Sequence, residues 1–186
     1  MSNLATAAFA PAQLHAALWA GDGARVHAVL DGRVLPDLPG RLKAAECLGW
    51  DCLQRGAQSA TAAKESAYIV ELARSAPFTD WLLHQAGAAF PGWGLLSVSN
   101  HPLLALREWA RDLNDVRMPD GRRRPWRWWD PELLAALLPT LTPDQQDSCF
   151  ALGQQLVLVA PQRWVWWWRE HGVLQHDERA VLASAV

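Results

Sequence analysis

The residue types that could do chemistry are densest between Pro119 and Pro131, in Pro-Asp-Gly-Arg-Arg-Arg-Pro-Trp-Arg-Trp-Trp-Asp-Pro. Arg122, Arg123 and Arg124 beside Trp126 and Trp128 could clamp phosphates and stack bases in a single-strand nucleic-acid binder. The same residues could instead give the arginine and tryptophan anchors in which protein interfaces are rich. The formal net charge is −2, whereas a nucleic-acid-binding domain is usually strongly basic. Cationic function is therefore local, and a protein partner is expected rather than nucleic acid.

Other candidates for catalysis are dispersed. Asp31, Glu71 and Asp130 could supply carboxylates, and a small hydrolase or transferase built near Asp31 and Glu71 is the alternative enzymatic reading. Each also has a structural use, as a turn residue, a strand end or a helix cap. Cys47, Cys52 and Cys149 are odd in number and match no common zinc or redox spacing, so they read as small apolar residues. His27 falls in a strand, where a half-buried, hydrogen-bonded ring is expected. His171 and His176 diverge if helical. Gly92-Trp93-Gly94 lacks the third glycine and preceding strand of a dinucleotide fingerprint, and no Gly-x-Ser-x-Gly elbow occurs. The expectation is of no catalytic residue, no cofactor and no metal.

The elements that must position these residues alternate along the chain. Pro11 to Ala20 predicts a short helix, Arg25 to Leu30 a strand closed by Asp31-Gly32, and Pro36 to Cys47 a helix. Trp50 to Leu53 is a short extended piece, and Gly56 to Lys64, polar and small, is read as a loop. Ala67 to Leu72 is the best strand by β-propensity. Pro77 opens a helix to Ala86, Leu95 to Ser99 is a strand, and Leu103 to Leu113 is a helix.

Asp120-Gly121 then turns a hairpin between Val116–Met118 and Arg124–Trp128. Asp130-Pro131 starts a helix, since aspartate caps it and proline suits its first position. Thr142-Pro143-Asp144-Gln145 is a capping box for a helix to Leu152. Gln155 to Val159 and Arg163 to Arg169 form a hairpin. Its alternation puts Trp164, Trp166 and Trp168 on one face, with Val165 and Trp167 on the other. One face should be core and the other partly exposed or covered by a partner. From His176 the signals are weak, with Asp177 read as the cap of a last short helix. The pattern predicts an α/β (α+β) fold with a mixed sheet flanked by helices and a tryptophan-rich C-terminal hairpin.

A chain of 186 residues suits one domain with a real core. The N-terminus has neither a basic region nor a long apolar stretch, and no apolar run is long enough to span a bilayer, so a soluble cytoplasmic protein is expected. The twelve tryptophans are the anomaly. Burying ~150–250 Å² each at about 25 cal/mol per Å² stabilises by roughly 4–6 kcal/mol per residue as an upper bound. One domain is expected to hide several and leave others for a partner.

Several of these pieces, in order, resemble the DUF4123 family. They are Ala28-Val29-Leu30-Asp31-Gly32, Ala67-Tyr68-Ile69-Val70-Glu71-Leu72, the Trp93-Gly94-Leu95-Leu96-Ser97 strand, the Leu103 to Leu113 helix and Arg127-Trp128-Trp129-Asp130-Pro131. Trp128 and Trp129 stand where phenylalanine and tyrosine are common in the family, which keeps aromatic bulk and drops the phenol hydroxyl. The resemblance covers roughly residues 26–152 of a single domain, leaving 153–186 as a tryptophan-rich extension.

It implies an adaptor chaperone of bacterial type VI secretion, a cytoplasmic, non-catalytic protein. Its partners would be a cognate effector and the spike (VgrG) or PAAR protein onto which that effector is loaded. On this reading Arg122, Arg123, Arg124, Trp126, Trp166 and Trp167 form the contact surface, and Arg127, Trp128, Trp129, Asp130 and Pro131 form an architectural motif. Arg127 and Asp130 are expected to act through pairing and capping.

Overall fold

A computed structural model describes residues 8–117 and 120–182. Eight strands form one sheet: β1 (Ala8–Phe9), β2 (Arg25–Asp31), β3 (Gly49–Cys52), β4 (Ala67–Glu71), β5 (Gly94–Ser99), β8 (Gln155–Ala160), β9 (Arg163–Glu170) and β10 (Val173–Val181). Their order is β1-β10-β9-β8-β5-β2-β4-β3. Every neighbouring pair is antiparallel except β1 with β10. The fold is therefore α+β with a mixed sheet, as the sequence predicts.

Helices cover both faces. In β2, Val26, Ala28 and Leu30 point to one side, where they meet Leu14 and Leu18 of α1 (Pro11–Leu18) and Leu38 and Leu42 of α2 (Leu38–Ala44). A longer helix completes that layer. It runs from α4 (Pro77–Trp81) through a π turn, Leu82–Ala86, into α5 (Gly87–Ala89), burying Leu82, Leu83 and Ala86. Val29 and Ile69 point the other way, onto Leu106, Trp109 and Ala110 of α6 (Leu103–Asp112) and Leu134 of α7 (Pro131–Leu137). With α8 (Pro143–Cys149) this makes three layers. Each fully buried leucine or isoleucine contributes about 1.5–3 kcal/mol.

The tryptophans are absorbed by this double core. Six are buried, Trp93, Trp109, Trp128, Trp164, Trp166 and Trp167, and the other six are half-buried. The predicted alternation in β9 holds: Trp164 and Trp166 join the first core and Trp167 the second. β10 adds to this packing, with His176 stacked on Trp167 and Arg179 over Trp166, while Val165 and Trp168 stay half-buried.

Three expectations need correction. The stretch read as a loop contains α3 (Ala60–Glu65), capped by Ser59, whose hydroxyl accepts from the Ala62 N–H at 3.2 Å. No residue of α3 is buried, so it leaves no apolar period in the sequence. The tail read as a short helix is strand β10, which returns along β9 from a turn at His171-Gly172, both at positive φ of 50° and 76°. That is the backbone a tight hairpin turn needs, and it makes the C-terminal unit a three-stranded meander. The central hairpin is shorter than predicted: β6 (Asp115–Arg117) pairs with β7 (Arg123–Pro125), and residues 126–128 leave the ladder. Met118 and Pro119 lie outside the described residues.

Among the described residues no helix is long and apolar enough to cross a membrane.

Candidate functional site

The site is built around the end of β2. Asp31 is 1% exposed, and its backbone N–H donates to the Trp93 carbonyl at 2.8 Å. One side-chain oxygen accepts from the Arg33 N–H at 2.8 Å. The other accepts from the Arg127 guanidinium at 2.6 Å and from the Trp129 indole N–H at 2.9 Å. Gly32 follows because nothing larger fits: a Cβ there would lie 2.3 Å from the Lys64 carbonyl oxygen and 2.5 Å from that of Ser66.

The 126–131 segment is held residue by residue. Trp126 donates from its indole to the Leu113 carbonyl and from its backbone to the Asn114 carbonyl, the latter at 3.0 Å. Trp128 is 1% exposed, edge-on to Trp109 at 4.9 Å, and its indole N–H donates to Asn114 Oδ1 at 3.2 Å. Asp130 Oδ1 accepts from the N–H groups of Glu132 and Leu133 at 3.1 and 3.2 Å, with Pro131 in the first turn. Asp130 Oδ2 is 3.8 Å from Arg127. Arg127 thus pairs with Asp31, and Asp130 caps α7.

Two motifs far apart in sequence, Leu-Asp-Gly and Arg-Trp-Trp-Asp-Pro, are one structural unit joined through Asp31. A family model described as Domain of unknown function (DUF4123) matches residues 26–148, from β2 into α8, and so encloses both. The chain belongs to the DUF4123 family. The β8–β10 meander lies beyond the matched DUF4123 region. No curated protein and no solved structure is similar enough to the chain to count as a match.

Beside this DUF4123 motif runs a groove of about 680 Å³, lined by Arg33, Leu53, Arg55, Trp126, Arg127, Trp129 and Leu133, with Glu65 and Asp115 also on its wall. Arg122, Arg123 and Arg124 are exposed on the adjoining hairpin. The Asp120 carboxylate accepts from the Arg122 N–H at 2.9 Å and shapes its turn. Of the predicted contact residues, Trp126 lines this concave surface, while Arg122, Arg123 and Arg124 are exposed on the hairpin whose last residue, Pro125, also lines it. Trp166 and Trp167 do not join them. At 4% and 8% exposed they are core residues on opposite faces of β9, and neither offers contact area on the free chain.

The carboxylates of the enzymatic alternative are separated. Glu71 pairs in register with His27, four residues before Asp31, which is about 13 Å at ~3.3 Å per residue. Glu71 meets Arg25 at 3.5 Å and His27 at 3.7 Å instead. His27 is completely buried, not half-buried, and neither ring nitrogen has a hydrogen bond. Burial, and then the Arg25 charge, pushes its pKa down to about 4, so the ring is neutral at pH 7. Burial pushes the Cys149 thiol up to about 11 and raises Cys47 as well. Neither is a ready thiolate.

Sequence reasoning missed Asn114, which bridges three segments by donating to the Leu53 carbonyl at 3.2 Å and accepting from Trp126 and Trp128. Its signal is an asparagine just past a helix end, which marks a turn but names no partner. Also missed is the network on α6, in which Arg107 meets Asp51 at 2.6 Å and Arg111 donates to the Cys52 carbonyl at 2.7 Å, fastening the helix to edge strand β3.

Proposed function

We propose that this DUF4123 protein is an adaptor that binds a cognate type VI secretion effector in the bacterial cytoplasm and helps to load it onto the VgrG/PAAR spike. The supporting observation is the joint placement of Trp126, Trp129 and Arg33 on one groove whose wall is fixed by the Arg127–Asp31 pair, with Arg122, Arg123 and Arg124 exposed on the hairpin whose Pro125 lines it. Arginine and tryptophan are the types that dominate interface hot spots, and a pre-formed wall lowers the ordering cost of association. The groove's size suits a few side chains of a partner rather than a large folded surface. An effector segment with acidic and apolar side chains complements it. The role is one of binding, with no catalytic step assigned.

Two experiments test the reading. The chain co-expressed with the toxin encoded beside it should capture that toxin, and deletion of its gene should abolish the toxin's secretion. Secretion retained in the deletion strain overturns the proposal. Reversing the hairpin charges together (Arg122→Glu, Arg123→Glu, Arg124→Glu) should weaken capture at least tenfold without changing the melting temperature. Unchanged capture would remove the hairpin from the contact surface.

A further inference from the structure

The opposite face of the sheet carries a second concavity, about 650 Å³, between α1, the π turn, the β8–β9 connection and the end of β10. Its wall includes His15 and His84. With Asp80 these form a group whose metal-ligating atoms all lie within 4.8 Å of one another. The three residues come from two separate segments: His15 from α1, Asp80 from α4 and His84 from the π turn that continues it.

His15 is oriented from two sides. Its Nε2 is 2.8 Å from the Arg74 carbonyl oxygen, and Trp19 packs against the ring at 5.0 Å between centroids. A carbonyl only accepts, so Nε2 carries a hydrogen, which leaves Nδ1 as the ring atom that would hold a metal. Nδ1 faces Asp80 Oδ1 at 3.8 Å, so a metal ion there would take the place of a second ring proton. Metal-bound histidines characteristically donate their second N–H to a backbone carbonyl in this way. The His84 ring stands on the other side, 5.8 Å from that of His15. Asp80 and His84 are four residues apart across the start of the π turn, and π turns are frequent at functional sites.

We propose that His15, Asp80 and His84 form a divalent transition-metal site, best matched to zinc, whose remaining coordination position opens on the cavity that the two histidines line. A tetrahedral zinc with ligands at about 2.0–2.1 Å sets them ~3.3 Å from one another. The present group is wider by up to about 1.5 Å, a gap that the exposed Asp80 and His84 side chains close by rotation while His15 stays fixed. Two imidazoles and one carboxylate is a donor set that leaves zinc a fourth position for water or another small ligand, unlike the closed four-ligand structural sites. This site lies across the sheet from the groove and does not depend on the adaptor reading.

The full-length, tag-free chain, freed of metal with a chelator, is titrated with Zn²⁺ by calorimetry and with Co²⁺ by visible absorption. One equivalent per chain is expected, with the Co²⁺ bands of a four-coordinate nitrogen and oxygen site. His84→Ala and Asp80→Asn should each weaken uptake at least tenfold while leaving the circular dichroism unchanged, since both side chains are exposed. Cys47→Ser should leave uptake as it is. Absence of uptake, uptake weakened less than tenfold by His84→Ala, or uptake abolished by Cys47→Ser would each overturn the assignment.

Discussion

The guanidinium of Arg127 stands 2.6 Å from the buried carboxylate of Asp31 and ties the end of β2 to the segment that starts α7. Removing one member of a buried pair typically costs ~3–5 kcal/mol, because the remaining charge is left uncompensated. Arg127 keeps 38% of its side chain in solvent, and Asp31 retains the Trp129 and Arg33 bonds. Arg127→Ala should therefore cost about 2–3 kcal/mol, below that range. Asp31→Asn should cost less than Asp31→Ala, since the amide oxygen can still accept from Trp129. Urea denaturation checks both, and an unchanged midpoint in Arg127→Ala would show that the pair does not hold the motif.

The glycine of the Leu-Asp-Gly end is tested by contrast with the glycine of the arginine hairpin. A Cβ on Gly32 meets two backbone oxygens well inside contact distance, and the Gly32 N–H donates to one of them, Ser66 O, at 3.0 Å. Relief requires moving the backbone at the end of α3, just before β4, so Gly32→Ala should cost at least the ~1–3 kcal/mol of overpacking. Gly121 has φ of +81° and nothing within 4 Å of the place a methyl group would take, so Gly121→Ala should cost only the ~1–2 kcal/mol of left-handed backbone. Thermal melting should place Gly32→Ala clearly below Gly121→Ala, and the reverse order would contradict this account.

What the sequence revealed, and what it hid, follows from how each element is held. The strands β2, β4 and β5, the capped start at Asp130-Pro131 and the alternation in β9 were readable because local propensity and burial agree there. Helix α3 was not, since it buries nothing, and β10 was not, since its strand state comes from pairing with β9 rather than from its own polar residues. The candidate site divides in the same way. The roles of Arg127 and Asp130 could be read because capping is local chemistry. That Asp31 was Arg127's partner depends on tertiary placement, as does the meeting of His15 with Asp80 and His84. Trp166 and Trp167 were misread as anchors because a two-sided core hides what composition alone makes look like surplus.

The caps of α7 and α8 should differ in strength although both follow the same local rule. Asp130 accepts from two backbone N–H groups, at 3.1 and 3.2 Å, and also lies near Arg127. Thr142 Oγ1 accepts a single bond of 3.4 Å from Gln145, whose side chain returns one of 2.9 Å. Cap removal costs ~0.5–2 kcal/mol. Asp130→Ala should fall near the top of that range and Thr142→Ala near the bottom in chemical denaturation. Equal losses would mean that the Asp130 carboxylate acts only through its helix.

The pH dependence of stability should carry the signature of His27. The ring is buried between β4 and β5, facing Ser97 across one register and Glu71 across the other. Glu71 would favour a charged ring, but it is already met by Arg25 at 3.5 Å, and burial keeps the pKa near 4 against an ordinary value of 6.5. A base with a depressed folded pKa stabilises the native state fully above pH 6.5, where both states hold it neutral. Below that the unfolded chain takes up the proton first, so stability falls between pH 6.5 and 4 and then levels off. At ~1.4 kcal/mol per pH unit the loss reaches roughly 3 kcal/mol. His27→Leu removes the titration and should flatten that part of the urea-midpoint profile. A variant whose stability still falls as steeply across the same window would assign the dependence to other groups and leave His27 without a role in acid sensitivity.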